Sequence, residues 1–267
     1  MEMTDSEKGR HGESEAGWPQ RPRASAPPYR LSSSSPLPLS SLEHSWALSP
    51  KEAVSLQKTL ASEVRIEPLP RSLRIIGAAD ISYSKHTDLL TAVILTFRWP
   101  GLDLVESVDH VCKASFPYVP GLLSFREVPP LIEAYRKIER KPDVLLCDGQ
   151  GIAHPRRLGF ASHLGLCLGI PTVGCAKSRL CGEHDTLSPE KGSVKPLILD
   201  GDRIGLVFRS RGGVKPIYIS PGHLSDIPSS RRLIASCVLR YRIPEPLRLA
   251  HIEANRLRAS GGDRNLG

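Results

Sequence analysis

The stretch that decides the fold is Val144-Leu145-Leu146-Cys147-Asp148-Gly149-Gln150-Gly151. A short apolar run bounded by proline and glycine is typical of a strand buried on both faces of a partly parallel sheet. Asp148 stands at the carboxyl end of this strand, where open α/β sheets bind their ligands. Gly149 and Gly151 permit a tight turn and the close approach of a second group. Together with the basic pair Arg156-Arg157 that follows, this pattern indicates a metal-assisted site for a phosphate.

The first 49 residues differ in composition from the remainder of the 267-residue chain. They are rich in serine and proline and offer little apolar surface, so we predict a disordered, low-complexity tail. The tail carries five Lys or Arg and six Asp or Glu, which leaves 31 basic and 22 acidic residues for the rest. This basic excess suits a polyanionic partner, although a merely basic protein without such a partner has the same composition.

The six cysteines do not form a C-x-x-C pair, and most of them stand in apolar runs. This pattern predicts small buried core residues in a reducing compartment, and neither zinc ligands nor a disulfide framework. The chain shows neither a secretory signal nor a stretch long enough to span a membrane. We therefore expect a cytoplasmic protein.

A second acid interrupts the first predicted strand, residues 74–83. Asp80 follows the small residues Gly77-Ala78-Ala79, which leave space beside its carboxylate. An acid in a core strand costs free energy unless something neutralises it. The alternative is an Asp that starts a loop directly after Ala79.

The next two predicted strands, residues 91–99 and 104–116, have short connections, so the first three strands should form an antiparallel meander. The loop Phe116-Pro117-Tyr118-Val119-Pro120-Gly121 then breaks the pattern. Two prolines hold its backbone extended around Tyr118, and Pro120-Gly121 favours a tight turn. Tyr118 is then either a wedge on which a base stacks or an anchor that packs down on the domain.

A helix ending near Lys141 follows this loop, and its start decides the environment of Glu127. If Pro129-Pro130 form the first turn, Glu127 lies at or just before the helix. If the helix begins earlier, Ser124-Phe125-Arg126-Glu127 has the pattern of a capping box, and the prolines require a kink.

The remaining elements complete an α/β pattern. A helix at 158–168, a buried strand at 171–177, a hairpin around Asp200-Gly201-Asp202 and a strand at 217–219 are predicted in turn, followed by helices near 229–239 and 246–258. Lys177 ends its strand as Asp148 ends the central one, and it either reaches a phosphate or marks where the strand leaves the core. His251 on the last helix is, by residue type alone, more typical of a core or surface histidine than of a ligand.

The element order, with its acids on the first strand, before the first helix and after the fourth strand, matches the ribonuclease-H-like order. Seven motifs in the same order resemble the endonuclease V family: Gly77-Ala78-Ala79-Asp80, Pro117-Tyr118-Val119-Pro120-Gly121, Ser124-Phe125-Arg126-Glu127, Asp148-Gly149-Gln150-Gly151, His154-Pro155-Arg156-Arg157-Leu158-Gly159, Gly174-Cys175-Ala176-Lys177 and Pro221-Gly222-His223. The resemblance covers residues 50–258, predicted as the catalytic domain, and leaves out the tail and a flexible C-terminus at 259–267. It implies a ribonuclease-H-like mixed sheet, with an antiparallel three-strand meander plus parallel strands, flanked by helices.

The resemblance also implies a function. Such an enzyme is a monomeric, Mg²⁺-dependent endonuclease of DNA repair that recognises deoxyinosine in DNA or inosine in RNA, with Mn²⁺ able to substitute. It cuts the second phosphodiester bond 3′ to the lesion and leaves 3′-hydroxyl and 5′-phosphate ends.

Family roles transfer to this sequence position by position. Asp80, Glu127 and Asp148 become metal ligands, and Tyr118 the wedge that fills the gap left by a flipped base. Lys177 and His251 join them as catalytic residues, although relatives carry either His or Asp at position 251. The substrate-binding residues are Pro117, Tyr118, Pro120, Gly121, Gly149, Gly151, His154, Arg156, Arg157 and His223. Gln150 departs from the His or Asn that is frequent in relatives.

Hard oxygen ligands suit Mg²⁺ or Mn²⁺, and converging carboxylates repel one another without a cation. Two alternatives remain open at this point. A catalytically inactive ribonuclease-H-like protein that only binds nucleic acid would be expected to have lost one of the three acids. A junction-resolving nuclease of the same fold would share the acids but would not need the tyrosine wedge.

Overall fold

A computed structural model describes residues 44–84 and 87–262, which form one mixed eight-stranded sheet flanked by five helices. The strand order across the sheet is β3-β2-β1-β4-β5-β8-β7-β6. The elements in chain order are α1 (Pro50–Ala61), β1 (Ile75–Tyr83), β2 (Leu89–Arg98), β3 (Asp103–Lys113), α2 (Leu123–Arg136), β4 (Val144–Cys147), α3 (Phe160–Leu168), β5 (Thr172–Ala176), β6 (Val194–Leu199), β7 (Asp202–Phe208), β8 (Ile217–Pro221), α4 (Ile227–Cys237) and α5 (Glu245–Gly262).

The centre of the sheet joins the predicted meander to two parallel strands. β1 pairs antiparallel with β2, and β2 pairs antiparallel with β3. On its other side β1 pairs parallel with β4, which in turn pairs parallel with β5. Every side chain of β4 is buried, as its uninterrupted apolar sequence predicts. The ribonuclease-H-like mixed sheet predicted from the sequence is confirmed.

Two apolar layers cover the two faces of the sheet. Ile76, Ala78, Val144 and Leu146 point to the face that packs against α4 and α5. Ala79, Leu145 and Cys147 point to the opposite face, against α2 and α3. Because successive side chains of a strand alternate between faces, Asp80 follows Ala78 onto the α5 side.

The second helix decides between the two settings predicted for Glu127. α2 begins at Leu123, and Pro129 and Pro130 lie inside it, so the prolines do not form its first turn. The residue that precedes the helix is Leu122, and no side chain caps the helix start. Ser124 lies within the first turn, where its hydroxyl contacts Nδ1 of His163 at 2.9 Å. The capping box considered for Ser124 and Glu127 is therefore not formed.

Both ends of the packed chain extend past the boundaries predicted at residues 49 and 258. Trp46 and Leu48 pack against the α1 and α2 side of the domain, because the segment before α1 supplies two large apolar side chains there. α5 continues to Gly262, so residues 259–262 are helical. The remaining residues of the predicted tail and C-terminus lie outside the described residues. Among the described helices, none is long and apolar enough to cross a membrane.

Candidate active site

Two carboxylates meet at the centre of the sheet because β1 and β4 run parallel side by side. Ala79 pairs with Cys147, so Asp80 and Asp148 follow at the same level on neighbouring strands. The Asp148 amide donates to the Ala79 carbonyl at 3.3 Å, which fixes the end of β4 beside Asp80. Asp80 lies inside β1, which continues to Tyr83, so the alternative of a loop starting after Ala79 is wrong. The side chain of Asp80 is buried and that of Asp148 is largely so.

Each aspartate has a basic partner from a different element. Nδ1 of His251, on α5, lies 2.7 Å from Oδ2 of Asp80, and this hydrogen bond raises the pKa of His251. Nζ of Lys177, just after β5, contacts Oδ2 of Asp148. The ligand atoms of Asp80, Asp148 and His251 lie within 4.8 Å of one another, which is a spacing that could hold a metal ion.

Glu127 approaches the same point from α2. Burial, followed by the negative charges of Asp80 and Asp148, raises the pKa of Glu127 to about 8. Burial and the charge of Asp80 also raise the pKa of Asp148, and the positive charge of Lys177 opposes that rise. Glu127 is not among the residues whose ligand atoms lie within 4.8 Å of one another, but the charges of both aspartates act on its carboxyl. Without a cation, the arrangement therefore favours a proton on Glu127.

The proline-flanked loop lies next to this acidic centre. Tyr118 is 69% exposed, so its ring does not pack down on the domain. A pocket of about 340 Å³ opens beside it, lined by Tyr118, Pro120, Gly121, Gly149, Gln150, His154, Ser178 and others. Gly149 and Ser178 directly follow Asp148 and Lys177 in the chain, which places the pocket at the edge of the acidic centre. In the same pocket wall, Nε2 of Gln150 donates to the Ser178 carbonyl at 2.9 Å.

Comparison with known proteins shows to which family the chain belongs. The Endonuclease V family model matches residues 58–252. The chain belongs to the endonuclease V family. Endonuclease V of Trichormus variabilis is 44% identical over 208 residues, which cover 78% of this chain and 94% of that relative. The crystal structure of Endonuclease V from Bacillus subtilis matches with a TM-score of 0.79 and 31% identity, over 83% of this chain and 98% of that one.

A third endonuclease V was crystallised with nucleic acid. Ciona intestinalis Endonuclease V, in complex with a 24mer DNA containing an inosine followed by a ribo-adenosine, matches with a TM-score of 0.69 and 26% identity, over 79% of this chain and 98% of that one. As an endonuclease V, the protein is a nuclease that acts on phosphodiester bonds. The predictions of family and enzyme class are confirmed.

The two arginines after the central strand of this endonuclease V have internal partners. Arg156 donates from Nη2 to the Gly121 carbonyl at 2.8 Å and from Nε to Oε1 of Gln57. Arg157 donates to the Leu199 carbonyl at 2.9 Å and pairs with Asp202 at 3.1 Å. The sequence places both guanidinium groups near a phosphate, whereas in the structure they tie the loop to α1 and to the β6–β7 hairpin.

The glycines of the Asp148-Gly149-Gln150-Gly151 motif provide close contacts within the protein. A Cβ at Gly151 would lie 1.8 Å from the Pro221 carbonyl oxygen, and a Cβ at Gly149 would lie 3.0 Å from the ring of Phe160. The group whose close approach these glycines permit is therefore the protein's own backbone in one case and an aromatic ring in the other.

His223 is not brought to the acidic centre. It lies beside Thr172 at the start of β5, whereas Lys177 follows the other end of that strand. Nδ1 of His223 accepts from the Arg65 amide at 3.3 Å, and its side chain is buried. These contacts indicate a structural role for His223 at the start of β5, away from the acidic centre.

Two polar residues near the site were not predicted. Gln57 is buried on α1 and donates to the carbonyls of Gly121 and Leu158 at 3.1 and 2.7 Å. Its sequence signal is a polar residue at helical spacing between Ala53 and Leu60 on the buried face of α1. Asn255 contacts Nε2 of His251 at 3.2 Å and lies one helical turn after it on α5. Spacing of four residues on one helix could have indicated this pair.

His154 helps to hold the tyrosine loop, and its environment gives a pH prediction. Nε2 of His154 donates to the Gly121 carbonyl at 3.1 Å, and Nδ1 accepts from the Arg156 amide at 3.1 Å. Burial, and then the positive charge of Arg156, lower the pKa of His154 to about 4. Between pH 6.5 and about 4, His154 is protonated in the unfolded chain but remains neutral in the folded protein. Proton binding therefore favours the unfolded state, and this histidine makes the stability of the fold decrease as the pH falls.

We expect His154→Gln to remove that contribution. The melting temperature of the wild type should therefore fall more than that of the variant when the pH is lowered from 7 to 4.5. Scanning calorimetry or circular dichroism melts at both pH values measure the difference. Because burial lowers the pKa of His163 to about 3, that histidine also makes stability fall over this pH range, and only the difference between the two proteins reports on His154. Parallel pH profiles for the two proteins would contradict the assignment.

Proposed function

We propose that this endonuclease cleaves nucleic acid that contains a deaminated adenine, deoxyinosine in DNA and inosine in RNA. It hydrolyses the second phosphodiester bond 3′ to the lesion and leaves 3′-hydroxyl and 5′-phosphate ends. The observation that carries the proposal is the meeting of Asp80, Asp148 and Glu127 beside an exposed tyrosine and a pocket. The inosine-containing DNA bound by the Ciona intestinalis relative supports the choice of base.

The residues at the centre fit a hard divalent cation. Carboxylate oxygens are the ligands that Mg²⁺ and Mn²⁺ prefer, and Asp80, Asp148 and Glu127 would hold the ion. The raised pKa of Glu127 supports this assignment, since a cation relieves the same repulsion that otherwise keeps a proton on that carboxyl. When bound, such an ion activates water and neutralises the negative charge that develops on the phosphate.

Side chains around the carboxylates position them and the substrate. The hydrogen bond from His251 orients Asp80, and the half-exposed ammonium of Lys177 orients Asp148 while remaining able to contact a phosphate oxygen. Tyr118 would stack in the gap left by the flipped base, and the adjacent pocket would receive that base. Hypoxanthine pairs more weakly than a normal base, so flipping it costs less free energy, and this cost difference favours the lesion.

The backbone of the loop that carries Tyr118 is fixed by hydrogen bonds, as a role in substrate recognition requires. The Gly121 carbonyl accepts hydrogen bonds from Gln57, His154 and Arg156, so the backbone behind Tyr118 is fixed from three directions. A wedge on a rigid loop loses little conformational freedom when it enters a duplex. Substrate recognition is thus assigned to the loop and pocket, and hydrolysis to the acidic centre.

Matched oligonucleotides test the proposal. Duplex DNA and single-stranded RNA of one sequence, with inosine or adenosine at one position, are incubated with the protein in Mg²⁺, in Mn²⁺ and in EDTA. We expect cleavage only with inosine and only with a divalent ion, and mass spectrometry should place the cut after the nucleotide 3′ to the lesion. A four-way junction without inosine serves as a control substrate. Cleavage of that junction at a rate equal to the inosine duplex would favour a junction-resolving nuclease. The ratio of DNA to RNA cleavage identifies the main substrate.

The cytoplasmic location expected from the sequence stays a prediction.

A further inference from the structure

A second group of possible metal ligands lies on the other face of the sheet from the His251–Asp80 contact. His163 and Cys167 stand one turn apart on α3, and His44 reaches them from the segment before α1. The ligand atoms of these three residues, the His44 cluster, lie within 4.8 Å of one another. The sequence predicts no compact set of His and Cys, because one ligand comes from a segment more than a hundred residues away. The structure brings such a set together.

Hydrogen bonds on the outer nitrogens orient both imidazoles towards one point. Nδ1 of His44 lies 2.9 Å from the Ser45 carbonyl, which can only accept, so that nitrogen carries the proton and Nε2 keeps a lone pair. Nδ1 of His163 lies 2.9 Å from the Ser124 hydroxyl, which can accept from it in the same way. A carbonyl or hydroxyl behind each ring is the usual support of a metal-binding histidine.

The two Nε2 atoms face each other at 2.9 Å. A tetrahedral zinc ion with Zn–N bonds of about 2.0–2.1 Å holds two nitrogens about 3.3 Å apart, so the rings would separate by roughly half an ångström. A hydrogen bond between neutral imidazoles also accounts for the short distance. It does not account for the Cys167 thiol beside both nitrogens, whereas a shared metal ion accounts for all three groups.

The surroundings suit a small, partly accessible ion site. Trp46 and Phe125 pack on the ring of His163, with centroid distances of 5.3 and 4.9 Å, and so limit its movement. A cavity of about 400 Å³ is lined by His44 and Cys167 among others, so an ion and a water molecule can reach the cluster from that side. Three protein ligands and a water are a common zinc coordination.

We propose that His44, His163 and Cys167 bind a transition metal ion of the zinc class. Thiolate and imidazole ligands select such ions over Mg²⁺. The carboxylates of the acidic centre, in contrast, prefer Mg²⁺. The bound ion would fasten the segment around His44 to α3, and through Ser124 to the first turn of α2. Glu127 lies one turn further along α2. The ion would stabilise the packing of these segments, and its binding does not depend on the function proposed for the acidic centre.

Cobalt titration of the metal-free, tag-free full-length protein tests the proposal. A thiolate bound to Co²⁺ gives a charge-transfer absorption that carboxylate sites do not give, so the band reports a cysteine ligand, and the cysteine variants show which one it is. We expect one equivalent of Co²⁺ to produce the band and Zn²⁺ to displace it. Cys167→Ser should abolish the band, and His44→Ala should weaken Co²⁺ binding at least about tenfold, since even loss of a supporting group costs 10–100-fold.

Matched variants separate the site from general effects. Cys112→Ser changes a thiol that lines the same cavity outside the cluster. His184→Ala changes a partly exposed histidine whose Nδ1 also contacts the carbonyl of the next residue, at 2.8 Å. Both should retain the band and the affinity. Circular dichroism checks that Cys167→Ser, a change at a buried residue, still folds. His44→Ala tests the same site at a partly exposed residue, where a folding defect is less expected. The absence of a charge-transfer band in the wild type, or unchanged affinity in His44→Ala, would overturn the proposal.

Discussion

Asp148→Asn should reduce cleavage of an inosine-containing duplex at least about a hundredfold, because it removes the charge of a proposed metal ligand rather than a supporting group. Asp148 lies beside Asp80 on the neighbouring strand, and its Oδ2 contacts Lys177. The amide keeps the shape of the side chain and can still accept from Lys177 through its oxygen. Binding of the duplex should therefore remain within a few-fold of the wild type, since affinity rests mainly on phosphate contacts elsewhere.

Cleavage is measured in Mg²⁺, and binding is measured by fluorescence anisotropy in EDTA, where we expect no cleavage by the wild type. The matched control is Asp109→Asn, which removes the same charge from an exposed position on β3. This control should cleave at the wild-type rate. Turnover of Asp148→Asn within a few-fold of that rate would remove Asp148 from the catalytic centre, and equal losses in both variants would point to a general effect of charge.

The sequence predicts the centre of this fold because local signals and the sheet topology agree. The buried run of β4 places Asp148 at a strand end, and the small residues before Asp80 keep β1 close to its neighbour. Parallel pairing of these two strands then brings the acids together without any further long-range information. The position of Glu127 could not be predicted from such local signals. Its helix continues through two prolines, which are expected in the first turn of a helix.

Side-chain partners that come from distant segments could not be predicted. Residue type suggests that Arg156 faces a phosphate, yet its acceptors are Gln57 and the Gly121 carbonyl, which precede it in the chain by 99 and 35 residues. The His44 cluster has the same origin. The sequence predicts that the cysteines are core residues and not zinc ligands, because His44 lies in the segment assigned to the tail and only packing brings it to His163 and Cys167. Tertiary packing decides such contacts, and one sequence carries no record of it.

Tyr118→Ala is the change that separates lesion recognition from the stability of the loop. Tyr118 is 69% exposed, and the backbone behind it is held by hydrogen bonds to the Gly121 carbonyl that do not involve its ring. Truncation should therefore leave the melting temperature almost unchanged. In the proposed role the ring would replace stacking lost when the base leaves the duplex, and stacking on an aromatic side chain contributes about 1–3 kcal/mol per base.

Binding of Tyr118→Ala to an inosine-containing duplex should accordingly weaken about tenfold or more, because each 1.4 kcal/mol is a factor of ten. Binding to undamaged duplex rests on phosphate contacts and should change much less. Single-stranded inosine substrate has no stack to repair, so it should lose less affinity than the duplex. Tyr118→Phe is the matched control, since it keeps the ring and should keep the preference for inosine. A sharp fall in melting temperature with the preference for inosine intact would instead make Tyr118 an anchor of the loop.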